Sequence, residues 1–145
     1  MSAVLIVGGG LIGLLTAREL VRAGEKVEVI ERSITGRESS WAGGGILSPL
    51  YPWRYPEPVT TLAGWGQARY RDLCGELEQS TGIDPQWTRN GLLTLDLAEP
   101  ERSGAIAWAD RYGYRVEQLD RFGPETVESS TGPGKRALLM PDVAQ

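Results

Sequence analysis

The chain has 145 residues, 41% of them hydrophobic, and a net charge of −4, which bounds it to about one soluble globular domain. Its acidic and basic residues are interspersed without a basic block, so nucleic-acid binding has no support. A single cysteine, Cys74, rules out a disulfide framework within the chain, and the lack of histidine rules out a histidine-built metal site or catalytic triad. No apolar run approaches the length of a membrane span. The apolar N-terminus lacks a basic leader and is interrupted by glycines, so it reads as strand and helix rather than signal peptide, and the expected setting is the cytoplasm without membrane contact.

Residues 3–7 are a continuous apolar stretch of strand length. Gly8-Gly9-Gly10-Leu11-Ile12-Gly13 follows, then a segment of helical character to Ala23, with Gly24 as its stop. Residues 26–30 read as a second strand, ending at Glu31. The order strand, glycine turn, helix, strand puts Gly8, Gly10 and Gly13 in the G-x-G-x-x-G positions, with an acid eighteen positions after the last glycine. Each part has a physical reason. Gly8 lets the chain turn sharply, Gly10 leaves room for a pyrophosphate at the backbone, and Gly13 lets helix and strand pack closely. The helix N-terminus offers unpaired N–H groups and the positive end of its dipole. Glu31 can accept both hydrogen bonds of a ribose diol. A glycine turn in an ordinary βαβ unit does not account for three glycines and the acid together, and the segment reads as a dinucleotide site.

Residues 33–48 are rich in glycine and serine and read as a long functional loop or the start of a short helix. Four prolines between 49 and 58 argue against regular structure there. The stripe Tyr70, Leu73, Leu77 predicts a helix over about 61–80, capped by Thr60 or Thr61 and followed by Gly82. Cys74 lies beside that stripe as a small buried filler. Leu93, Leu95 and Leu97 alternate as in a strand. A helix over 100–112 stopped by Gly113, a strand over 114–119, a short helical turn over 124–128 and a last strand over 137–140 complete the pattern. A doubly wound nucleotide domain needs at least a third parallel strand and two are visible, so the expectation is the N-terminal piece of a longer protein, or half of a split one.

A bare fingerprint serves nicotinamide and flavin dinucleotides alike. Residues 39–46 separate them. Ser39 and Ser40 can donate to phosphate oxygens, and the glycines after Trp41 let the main chain pass close to a flat ring. By composition alone a flexible surface loop is an equal reading; the placement just after Glu31-Arg32 favours the functional one.

The fingerprint, Glu31-Arg32, Ser39-Ser40 and the run from Ala42 through Gly43, Gly44, Gly45, Ile46, Leu47 and Ser48 to Pro49 together resemble the D-amino-acid oxidase family of FAD enzymes, and within it the glycine oxidases of thiamine biosynthesis. Asn90-Gly91-Leu92-Leu93 resembles that family's first substrate-domain strand, and Met140-Pro141-Asp142 the segment before its return to the nucleotide domain. The resemblance implies an α/β fold: the N-terminal part of a FAD-binding, Rossmann-like βαβ domain over 1–84, plus the beginning of an α+β substrate domain over 85–145, both incomplete.

Carried over by position, Gly8, Gly10, Leu11, Ile12 and Gly13 would face the pyrophosphate and Glu31 and Arg32 the adenosine. Ser39 and Ser40 would hold phosphate, and Gly44, Gly45 and Ile46 the flavin. Trp41 departs from the small residue common there, and its role stays open. The family's substrate-holding arginine and tyrosine fall beyond Gln145; Arg54 and Arg69 read as solvated surface arginines. The implied chemistry is oxidative deamination of glycine or another small amino acid or amine by dioxygen, giving an oxo acid, ammonia and hydrogen peroxide, with the isolated piece inactive. A homo-oligomer is compatible with it. Two other classes share the N-terminal pattern: a FAD-dependent hydroxylase or other flavoprotein oxidoreductase, and a non-catalytic nucleotide-binding fragment.

Overall fold

The structure is a computed structural model that describes residues 3–119 and 136–145. The short helical turn expected over 124–128 lies outside the described residues. The chain divides into two compact units, Met1–Gly44 and Gly45–Gln145. The division falls within the first of the two parts drawn from sequence, and the long helix after the proline-rich stretch belongs to the later unit.

In the first unit, β1 (Val4–Val7) is followed by α1 (Leu11–Arg22) and β2 (Val27–Ile30). The strands pair in parallel, Val4 with Val27 and Val7 with Ile30. Parallel pairing requires the crossover that α1 supplies. Branched side chains at Val4, Ile6, Val7, Val27, Val29 and Ile30 favour the extended backbone. Gly24, at φ +88°, takes the left-handed turn that ends the helix region. Residues 33–48 form turns and bends, without the short helix held open as an alternative.

The second unit opens on a 3₁₀ turn, Pro52–Arg54, and α2 spans Glu57–Thr81. Both correct the sequence expectation. Pro56 is the N-cap of α2 and Pro58 lies in its first turn, where the missing N–H has no helical acceptor to lose and the fixed φ suits the helix. Proline-rich sequence therefore starts this helix rather than delaying it. Thr60 sits inside the helix, buried, instead of capping it, and its Oγ1 faces Trp108 Nε1 at 3.4 Å. Gly82, at φ +70°, ends α2 as expected, its N–H donating to the Glu78 carbonyl at 2.8 Å.

β3 (Leu92–Leu95), α3 (Glu101–Tyr112), β4 (Glu117–Leu119) and β5 (Ala137–Met140) follow. β3 stops before Leu97 because Asp96 turns to φ +55°. β4 begins later than residue 114 because Tyr114 packs into the core beside Val116 instead of pairing. The sheet order is β3-β5-β4, antiparallel throughout, with Leu92 opposite Met140 and Glu117 opposite Leu139. β5 is the central strand, and its Ala137, Leu138 and Met140 are buried. Trp108, Ala109, Met140 and Val143 form the core, with Trp53, Leu92, Tyr112, Tyr114 and Val116 packed on it. Trp108 stacks on Tyr114 at 4.6 Å between ring centroids. No described helix is long and apolar enough to cross a membrane.

Candidate functional site

The glycine turn sits where β1 gives way to α1. Gly8 adopts φ +107°, open to glycine alone at little strain, and its N–H donates to the Ile30 carbonyl at 2.8 Å, closing the strand pair. A Cβ at Gly13 would stand 2.0 Å from the Gly8 carbonyl oxygen. Helix and strand therefore pack backbone to backbone, as the third glycine of the fingerprint demands. Gly10 is the N-cap of α1, with extended backbone. A Cβ there would come within 3.0 Å of Ser40 Oγ.

Ser40 is the link between the two sequence motifs. Its Oγ accepts the Leu11 N–H at 2.8 Å, across 29 residues of chain. A serine hydroxyl thus stands at the first turn of α1, among N–H groups that have no acceptor inside the helix. The end of the helix and the serine segment are brought together at the place where an anion would bind.

Glu31 follows the last residue of β2 and turns back to the fingerprint. Its Oε2 accepts the Gly9 N–H at 2.8 Å and its Oε1 accepts the Ser33 N–H at 3.0 Å. Those two amides, with a smaller contribution from Arg32, hold its carboxyl below the ordinary value of 4.5. The Gly36 N–H closes on the Gly9 carbonyl at 2.9 Å. Gly9 is buried, and a Cβ there would lie 3.2 Å from both Glu31 Cβ and Thr35 Cγ2. Sequence reasoning passed over Gly9, Ser33, Thr35 and Gly36. The available signal was the middle glycine of the run 8–10, which the G-x-G-x-x-G pattern does not itself require.

The remaining residues are less convergent. Arg32 is exposed and pairs with Glu38 at 3.3 Å. Leu11 and Ile12 are exposed at the start of α1, Ser39 is exposed, and Gly44 closes the first unit with open space around its Cα. Gly45, at φ +75°, and the exposed Ile46 open the second unit. Trp41 is exposed beneath the Arg37 guanidinium, 4.0 Å from the ring centroid. Arg54 is not simply solvated: it makes a two-pronged contact with Glu101, at 2.5 and 2.9 Å, and lies over Tyr51. Arg69 lies over the exposed Trp65. Cys74 is partly buried, and burial, with the charge of Asp84, pushes its thiol up, away from the reactive thiolate.

Residues 3–145 match the family described as FAD dependent oxidoreductase. The chain belongs to that family. It is 45% identical to the glycine oxidase of Pseudomonas aeruginosa over 142 residues, covering 97% of this chain and 38% of that protein. The glycine oxidase of Pseudomonas putida gives 46% over 142 residues with the same coverage. The crystal structure of glycine oxidase from Geobacillus kaustophilus superposes with a TM-score of 0.83 at 27% identity, over 98% of this chain and 40% of that one. The chain thus spans about two-fifths of the relatives it matches. The mixed α/β architecture read from sequence, with its Rossmann-like N-terminal unit, is that of the FAD-dependent oxidoreductases. Their cofactor suits the geometry: a Cβ at Gly10 would crowd Ser40 Oγ, and the Leu11 amide at the start of α1 donates to that same hydroxyl.

Proposed function

We propose that this chain supplies the dinucleotide-holding part of a FAD-dependent oxidase acting on glycine or another small amino acid or amine. The observation that carries the proposal is Ser40, whose Oγ takes the Leu11 N–H and so sets a hydroxyl of the second motif at the N-terminus of α1, beside the fingerprint. Bound FAD would accept a hydride from the amine's α-carbon and return the electrons to dioxygen. For glycine the balance is glycine, dioxygen and water in, and glyoxylate, ammonia and hydrogen peroxide out.

Within that scheme the chain's own residues bind and orient. The start of α1 at Leu11, Ile12 and Gly13 would face the pyrophosphate with the helix dipole behind it, the N–H groups of Ile12 and Gly13 donating directly and Leu11 acting through the Ser40 hydroxyl that takes its N–H. Ser39 and Ser40 would donate to phosphate oxygens. Glu31 would accept from the adenosine ribose, with Arg32 beside it. Gly44, Gly45 and Ile46 would lie along the flavin, where small side chains let the main chain approach. Residues 1–84 would form part of the nucleotide domain and residues 85–145 the start of the substrate domain. We assign no substrate-holding residue within the chain, so residues 1–145 alone are expected not to oxidise glycine.

The test is twofold. Titration of the protein with FAD should show saturable binding that adenosine alone does not reproduce. The longer protein should release peroxide with glycine and without a reduced nicotinamide. Dependence on reduced nicotinamide would favour a hydroxylase, and failure to bind FAD would remove the proposal.

A further inference from the structure

We propose that Glu31 is a positioning residue for the pyrophosphate end of the cradle, not solely an acceptor for the ribose: its carboxylate latches the fingerprint turn into its binding shape before a nucleotide arrives. The inference deepens the dinucleotide reading and rests on it for the identity of the ligand. The latch itself does not.

Three long-range bonds converge on the turn. Glu31 takes the N–H of Gly9, Gly36 donates to the carbonyl of Gly9, and Ser40 takes the N–H of Leu11. The loop over 33–40 thus holds the turn from one side. Both backbone polar groups of the buried Gly9 are satisfied by residues more than twenty positions away. Without Glu31 the Gly9 amide would be left buried and unpaired, a costly state, so the turn would open. Thr35 and the Glu31 Cβ lie close over Gly9, so a Cβ there would press on both at 3.2 Å and push against the residue that carries the carboxylate.

The same carboxylate keeps capacity for a ligand. Each of its oxygens has about two acceptor directions, and one on each is taken by Gly9 or Ser33. A ribose diol needs two. Glu31 can therefore brace the turn and hold the sugar together, which couples the two ends of the nucleotide through one side chain. Ser40 is ordered in a similar way. Its oxygen accepts from Leu11, so its single hydroxyl proton is left to donate outward.

Amide hydrogen exchange in the protein without nucleotide tests the latch. The Gly9 and Leu11 amides should be protected. Glu31→Gln leaves one acceptor oxygen in place of two and should speed Gly9 exchange by about tenfold or more while the β2 amides stay protected. Ser40→Ala should release Leu11 and spare Gly9. ADP and 2′,3′-dideoxy-ADP then separate the roles, since both carry pyrophosphate and the second has no diol. Glu31→Gln should weaken both. Unchanged affinity for the dideoxy form together with unchanged Gly9 exchange would leave Glu31 a ribose acceptor only and overturn the proposal. If Glu31→Gln fails to fold, the parent protein decides: Gly9 and Leu11 amides exchanging at unstructured-peptide rates overturn the latch. Protected, Glu31-dependent exchange in a protein that binds neither nucleotide would uphold the latch and remove the dinucleotide reading.

Discussion

Gly13 and Gly44 are both proposed to lie along the cofactor, yet they differ in what a methyl group would meet. At Gly13 it would stand 2.0 Å from a carbonyl oxygen, and at Gly44 it would meet nothing within 4 Å. Gly13→Ala should therefore force α1 off β1 and cost about 1–3 kcal/mol, the scale of overpacking, read from the urea midpoint. Gly44→Ala should leave stability within about 0.5 kcal/mol and show its effect in FAD affinity alone. Glu31 gives a pH test. Its carboxyl is held below 4.5, so the unfolded chain takes up the proton first as pH falls. The stability it supplies is complete above 4.5 and is lost as pH drops through its lower folded value. A carboxyl NMR titration should place Glu31 below 4.5; a value at or above it would contradict the bonds to Gly9 and Ser33. The places of the fingerprint glycines and of Glu31 between β1, α1 and β2 were legible because they follow from local spacing. The partners of Gly9 and Leu11 were not, because they depend on the path of the loop over 33–40, which no periodicity encodes.

Among the elements, α3 carries the heaviest packing. Trp108 is largely buried, stacks on Tyr114 and reaches Thr60 of α2 through its indole N–H. Trp108→Ala should cost about 3–5 kcal/mol of stability in the second unit, measured by urea denaturation. A cost under about 1 kcal/mol would mean that the α2–α3 contact is loose. Gly113, at φ +73°, ends α3 as the sequence indicated. The existence and type of most described elements were readable from apolar spacing and glycine stops. The early start of α2 was not, since proline reads as a breaker unless its place in the first turn is known. Strand pairing was not readable either: Leu92–Leu95 and Ala137–Met140 announce themselves as strands, but antiparallel pairing across forty residues is decided by packing.

At the scale of the whole molecule, the first unit leaves its apolar residues open. Val7 is 82% and Ile12 79% exposed, and Leu5 and Val21 are also uncovered. Parallel sheets are normally covered on both faces, so such a surface calls for a partner or more chain. Residues 1–145 alone should bind a hydrophobic dye strongly and lose that signal when covered. Supplied with FAD and glycine they should give no peroxide turnover comparable to that of a full-length glycine oxidase, and comparable turnover would place the active site within these residues.

The position of β5 governs the order in which the second unit can be built. Both neighbouring strands leave the ribosome before their common partner exists. At about 5–20 residues per second, Leu92–Leu95 waits roughly 2–8 s for Ala137–Met140. From the time Leu119 is made, β3 and β4 are two unpaired strands on one nascent polypeptide, each a template for a neighbouring chain. A gene truncated after Arg136 would make that interval permanent, so its product should go to inclusion bodies or to chaperones, whereas nine further codons restore the strand both edges await, together with Val143 and Ala144.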